Sequence, residues 1–372
     1  MPPITLDGSL GITTPMYNGS ITANAVTPSV NMKNRIINGA MVIDQRNAGA
    51  AVTSNNNTIY SVDRFSYFTN GSATGTLQQS SVAPSGFTNS LLYTITSGSA
   101  SGSTTRAQLI QRIEGYNTAD LAWGTASAKS ITLSFWVRSS LTGTFGGSLQ
   151  NNAQDRSYPY TYTISSANTW EQKTITIAGD TSGTWLTTNG IGVMVYWDMG
   201  CGSSLTTTAG AWASGDYRGA TGTTSVVAVT GATWQMTGVQ FEVGSTATSF
   251  DYRPIGTELA LCQRYFQGTT NPNDGNNYYY GSGSNLTTSI AYITYPFLVS
   301  MRASPTLTSS GTFYIRGGGN SELVTAVSLV TATTTTAGVS FTVGGATLTQ
   351  GYGVLARSGG STANTLFFSA EL

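Results

Sequence analysis

The 372-residue chain contains no histidine. Catalysis by Ser-His-Asp or Cys-His constellations is thereby excluded, together with the commonest transition-metal ligand. What remains for hydrolysis is a pair of carboxylates, which glycoside cleavage holds about 5–9.5 Å apart across a cleft. Sixteen Asp and Glu residues leave pairs such as Asp198 with Asp216, or Glu114 with Asp120. Each is read more simply as a turn-capping or solvated group, and no catalytic residue is assigned. Asp274-Gly275 stands in the run NPNDGNN with a single carboxylate and no EF-hand spacing, so turn chemistry explains it and neither metal nor cofactor is expected.

Binding chemistry has more support. A sugar offers apolar C–H faces and a rim of hydroxyls, so its receptor needs aromatic platforms beside amide, carboxylate or guanidinium groups. Seven Trp and 19 Tyr accompany only 9% charged residues. Trp197, Trp212 and Tyr217 bracket a long Gly/Ser/Thr-rich loop that also carries Asp198, Asp216 and Arg218. Trp197, Trp212, Tyr217 and Asp216 are therefore candidate ligand contacts. In Ile131–Arg138 the residues Ile131, Leu133, Phe135 and Val137 share one face, which leaves Trp136 and Arg138 together on the other as a second candidate platform. Trp123, Trp170, Trp185 and Trp234 are read as packing residues. Tyr278-Tyr279-Tyr280 cannot all face one core from a strand, so at least one is expected at the surface or at a subunit contact.

The elements that must hold these residues are strands. Gly accounts for 44 residues, and the charged fraction is far below the roughly 25% of ordinary soluble domains. A 39% hydrophobic and 10% aromatic content still suffices to fold. The expectation is an all-β protein in four regions. Residues 1–33, rich in PP, DG, TP and NG dipeptides, read as an extended arm that docks on a neighbour. Residues 34–254 carry many short alternating segments between Gly, Asn and Ser clusters, the pattern of a jelly roll or β-sandwich. Residues 255–267 form a linker with a short helix, Thr257–Phe266, with Thr257 as N-cap, Glu258 in the first turn and an apolar stripe at Leu259, Cys262 and Phe266. Residues 268–372 supply enough strands for a second, smaller β-sandwich. No fixed-period repeat is present, which argues against a β-helix.

Charge and cysteine usage narrow the partners. Sixteen basic and sixteen acidic residues give zero formal net charge and no basic run, so nucleic acid is not an expected partner, whereas association between copies is favoured. No apolar run reaches the eighteen or so residues needed to span a bilayer, and MPPITLDGSL lacks the pattern of a secretory signal, so neither membrane insertion nor secretion by that route is expected. Cys201 and Cys262 read as two free thiols. The short helix needs packing partners, and Leu259, Leu261, Cys262 and Phe266 are placed at an oligomer interface or domain junction.

Five blocks in order, NRIINGAMVIDQRNAG at Asn34–Gly49, YSVDRF at Tyr60–Phe65, SFWVRSS at Ser134–Ser140, NTWEQKTITIAGDTSGTW at Asn168–Trp185 and GVQFEVGSTATSFDYRPIGTELALCQRYF at Gly238–Phe266, resemble a family of tailed-bacteriophage tail-fibre and appendage proteins. The resemblance implies an upstream jelly roll similar to carbohydrate-binding modules, joined by the strand–connector–helix segment to a variable distal domain. It implies a virion subunit assembled in the host cytoplasm, commonly a homotrimer, docked to another virion protein through residues 1–33 and attached to host surface polysaccharide. A capsid decoration or head-fibre protein is the alternative. A polysaccharide-degrading tailspike would require a carboxylate pair in a cleft.

Overall fold

A computed structural model describes residues 32–54, 56–271, 274–317, 320–359 and 363–372. The expected arm lies outside the described residues, except for its last two. The chain divides after Lys33, and residues 34–372 form one compact unit. That unit is built almost wholly of strands, as its composition implies.

Two antiparallel sheets pack face to face in the first half of the unit. One has six strands in the spatial order Val52–Thr53, Thr74–Ser80, Ser90–Ser97, Thr233–Val243, Ile131–Ser139 and Glu171–Ile177. The other has seven, in the order Ala213–Ser214, Arg156–Ile164, Gly143–Gln150, Ile191–Asp198, Ala107–Glu114, Phe65–Thr69 and Ile59–Val62. The period-two pattern decides which residues meet between them. Ile131, Leu133, Phe135 and Val137 are buried from one sheet, and Val193, Val195 and Trp197 from the other. The long strand Thr233–Val243 is kinked between Thr237 and Gln240, where Gly238 takes φ +62°. A side chain there would strike the Phe87 ring, so both backbone and space require glycine. The segment after Lys33 belongs to this sandwich. The Asn34 side chain bridges Val239 and Phe241, and the Gln111 amide holds both backbone groups of Ile37.

The single α-helix among the described residues, α1, spans Ile255–Gln263 and so begins two residues before the expected cap. Pro254 occupies the N-cap, where its fixed φ suits the first turn, and Thr257 lies exposed inside the helix without capping it. Glu258 is in the first turn as expected, but its carboxylate is buried and accepts from the Asn38 N–H and from Arg253. The apolar stripe is corrected too. Glu258, Cys262 and Tyr265 face inward, Leu259 is only half-buried, and Phe266 already begins a strand. Tertiary partners, rather than apolar spacing, set this rotation.

Beyond α1, strands Phe266–Asn271 and Asn364–Ser369 pair antiparallel, with Thr306–Ser310 on the outer side of the second. Six further strands, Tyr279–Asn285, Ile290–Pro296, Phe313–Gly317, Asn320–Ala332, Thr336–Val343 and Gly353–Ser358, close into a barrel. Barrel and three-stranded sheet share a second core that includes Ile293, Ile315, Phe341, Leu366 and Phe368. Of the three consecutive tyrosines, Tyr280 enters this core and Tyr279 stands outside.

The two cores meet at a cluster of charges. Glu371 accepts from Arg46 at 2.9 Å and from Arg64, and Arg46 also lies 3.2 Å from Asp63. The Arg46 guanidinium stacks 3.6 Å over the Phe266 ring and that of Arg64 3.5 Å over Tyr265. Arg264 and Tyr265 both donate to Glu114. Burial raises the Glu114 carboxyl, but these two donors outweigh it and hold the group below the usual carboxylate range. Cys262 and Phe266 are buried beside this cluster. Both cysteines are free.

Arg64→Ala would leave Glu371 buried with one cation instead of two. It is expected to lower unfolding stability by about 3 kcal/mol in chemical denaturation, whereas an unchanged midpoint would mean the cluster is neutral to folding. Burial also pushes the Asp63 carboxyl up to about 6, against the pull of Arg46 and Gln45. A folded value above the unfolded one means that the native state favours the protonated acid. The associated stability is full below about pH 4 and is lost as pH rises through about 6. Wild type should therefore lose stability relative to Asp63→Asn across that window, as thermal melts at fixed ionic strength would register.

Candidate functional site

Strand register assembles a cleft on the outer face of the seven-stranded sheet. Residues directly opposite on antiparallel strands point the same way. Phe68, Gln108 and Asp198 make one row; Ser66, Ile110, Tyr196 and Ser148 the next; Arg112, Met194 and Gln150 the third. Ile110, Met194 and Tyr196 pack into a small apolar floor. Arg106 projects from the loop before Ala107–Glu114, and Arg218 from the end of the long loop after Asp198. The enclosed volume is about 200 Å³, lined by Phe68, Arg106, Gln108, Arg112, Gln154 and Tyr196 among others.

That loop is folded against the sheet. Gly202 donates to Thr105, Gly215 to Asp155 and Arg218 to Leu205 through the backbone, and Asp198, buried at the loop's start, accepts the Gly200 and Cys201 N–H groups and the Thr223 hydroxyl. Burial pushes the Asp198 carboxyl up, so it serves the turn and not the solvent. Asp216 is held 2.9 Å from Arg218 and 3.7 Å from Arg106, and accepts from Gln150. Arg218 also donates to Gln154 and lies 5.3 Å from the Tyr196 ring centre, while its buried Nε has no partner. Arg112 donates to the Ser66 hydroxyl and has no carboxylate within ion-pair distance among the described residues. Ile110, Met194 and Tyr196 are themselves buried and only support the cleft, so the surface it offers is the half-buried Phe68 ring with the Arg106 and Arg112 guanidinium groups and the Gln154 amide, which can take an apolar ring face and hydrogen-bond its edge.

The expected site residues do not converge. Trp197 is fully buried between the sheets against Phe65 and Phe135, so it offers no stacking surface. Its correction follows from alternation: with Val193 and Val195 inward, a residue two further on is inward as well. Trp212 joins Trp123, Trp185 and Tyr158 in a set of edge-to-face rings against one end of the core, its indole N–H on Ala178. Tyr217 is half-buried, with its backbone tied to Ser157 and Gln150. Asp216 alone of the four touches the cleft's cations. Trp136 and Arg138 do share an outer face, but that of the six-stranded sheet. There Trp136 flanks Gly238 beside Phe87, and Arg138 donates to Asn168 and Gln235. Phe68, Arg106, Gln108 and Arg112 went unnoticed in the sequence. The alternation Gln108, Ile110, Arg112 was the available signal.

A larger cavity of about 250 Å³ lies where the connector crosses the sandwich, walled by Phe87, Phe250, Tyr252 and Ile255. Its polar groups are engaged with the first sandwich segment: Arg253 donates to Asn34 and Ile36 and pairs with Glu258, and Asp251 accepts from Asn34. It is an apolar groove with few free hydrogen-bonding groups. The paired acids Asp198/Asp216 and Glu114/Asp120 are each bound to separate partners, Asp120 to Arg35. Among the described residues no group of three or more Cys, Asp or Glu side chains is placed to hold a metal ion, and no helix is long and apolar enough to cross a membrane.

Comparison with protein-family models finds no match, and neither does comparison with curated proteins. Among solved structures, one described as "CBM4 structure and function" is 14% identical, with 56% of this chain and 98% of that one covered at TM-score 0.28. A putative sugar binding protein from Bacteroides thetaiotaomicron is 11% identical over 57% and 100%, at TM-score 0.34. The enzymatically active domain of tailspike protein 4 from bacteriophage CBA120 is 12% identical over 57% and 22%, at TM-score 0.31. Likenesses this remote say nothing about what this chain binds.

Trp197→Ala is expected to destabilise the sandwich by about 3–5 kcal/mol in denaturant titration, the cost of a large core cavity. Phe68→Ala, at a half-buried position on the outer face, should change stability by less than about 1.5 kcal/mol. The reverse order would overturn the assignment of core and cleft.

Proposed function

We propose that this chain is a non-catalytic structural subunit of a bacteriophage virion, a tail fibre or similar appendage, that attaches to host surface polysaccharide. The observation that carries the reading is the outer-face cleft, where the half-buried Phe68 ring stands beside the Arg106 and Arg112 guanidinium groups and the Gln154 amide. The five ordered sequence blocks support the virion assignment. Residues 1–33 are the proposed dock to another virion protein. Self-association as a homotrimer is the proposed assembly, supported by the zero net charge and by Tyr279, Tyr292, Leu323 and Leu355 exposed on the barrel's outer surface. Several copies on one particle would raise avidity by roughly 10²–10⁴ over a single weak site.

Adsorption of the purified protein to host cells tests this, with sugar release measured in parallel. Phe68→Ala should weaken single-site binding by about 1 kcal/mol, with the melting temperature kept. Release of oligosaccharide by wild type would make the protein an enzyme, and undiminished adsorption by the variant would move the site elsewhere. Immunolabelled particles seen by electron microscopy separate tail from capsid.

A further inference from the structure

The cleft is unbalanced in charge. Three guanidinium groups, Arg106, Arg112 and Arg218, face it with one carboxylate, Asp216, which is within ion-pair distance of the first and third. Asp198 lies in the same sheet face but is sealed beneath its own turn by two backbone N–H groups and Thr223. Glu114, two residues beyond Arg112, is turned to Arg264 and Tyr265 at the junction. Neither acid answers Arg112. The Arg112 guanidinium is therefore a half-buried cation with one hydroxyl partner, Ser66 at 3.0 Å, above the apolar floor of Ile110 and Tyr196. A cation in that position holds an oxyanion more strongly than it would in open water, since its surroundings are partly desolvated. The buried, unpartnered Nε of Arg218, on the side chain over Tyr196, adds a second donor without a protein acceptor.

Resting on the polysaccharide reading above, we propose that the cleft selects an acidic polysaccharide, with the anionic group of one sugar seated on Arg112 and its ring over Phe68. A neutral glycan would leave Arg112 covered and unpaired, a penalty that an anionic one removes. Arg112 sets the preference for charge and Phe68 the contact with the ring, so the two variants separate the effects. A carboxylate and a phosphate share the chemistry required.

The experiment uses two matched pairs of polymers: polygalacturonate with its carboxyl-reduced form, and phosphomannan with its dephosphorylated form. Binding of the full chain is measured by affinity electrophoresis and biolayer interferometry at fixed salt. At least one acidic member should bind about tenfold more tightly than its neutral partner, and which pair responds identifies carboxylate or phosphate. Arg112→Ala and Arg112→Gln should erase that ratio with the melting temperature in place, and Gln, which keeps a hydrogen-bond donor without the charge, separates charge from hydrogen bonding. Equal binding of both members in each pair overturns the charge selection but leaves the polysaccharide reading standing. Retention of the ratio in both Arg112 variants overturns the assignment to this residue. Absence of binding to all four polymers overturns the inference, and the host-cell adsorption assay then decides separately whether the polysaccharide reading survives.

Discussion

Burying charge is costly unless it is answered by opposite charge, and the chain gathers such answers at one place above all others. Arg46, Arg64, Asp63 and Glu371 gather where the two cores meet, two cations against two acids, with aromatic rings of Tyr265 and Phe266 beneath the guanidinium groups. Removing one member exposes the others to an environment that disfavours isolated ions. The arrangement is directional as well, because guanidinium forks and ring faces accept few geometries. It thereby fixes the position of α1, of strand Phe266–Asn271 and of the segment around Glu371 against the sandwich. Arg302 reinforces it by donating to Asn189 of the sandwich and Ala370 of the second core.

The sandwich was legible because strand alternation is local. Ile131 to Val137 announces which side is buried, and the structure buries all four alternate residues. The helix was legible in existence but not in phase. Its apolar residues occur nearly all round, so the inward face was decided by a carboxylate, Glu258, whose partner Asn38 is 220 positions away. Closure of the six distal strands into a barrel was likewise invisible, because it depends on which strands become neighbours across long connections.

The site shows the same division. Trp197 could have been excluded from its own strand by counting in twos from Val193. Gln108 and Arg112 alternate on one strand, but Phe68 could not have been joined to them, since the row that unites Phe68 with Gln108 runs between strands from separate parts of the chain. Tryptophan content drew attention to loops, while the chemistry lay on a sheet face made of ordinary arginine, glutamine and phenylalanine. Residue type alone does not reveal orientation, and orientation here separates a platform from a core filler.

The paired strands Phe266–Asn271 and Asn364–Ser369 carry the chain out from the sandwich and back beside itself. Between them the chain comes back once, where Arg302 donates to Asn189 and Thr306–Ser310 adds a third strand to the pair. The barrel is therefore inserted in two lengths, two strands before that return and four after it. Its outer strands can be exchanged with the sandwich strands uncut only if residues 297–310 stay in place, because they carry Arg302 against the charge cluster. A molecular engineer who wishes to mount a different head on this body has two inserts to replace and one strap between them to keep.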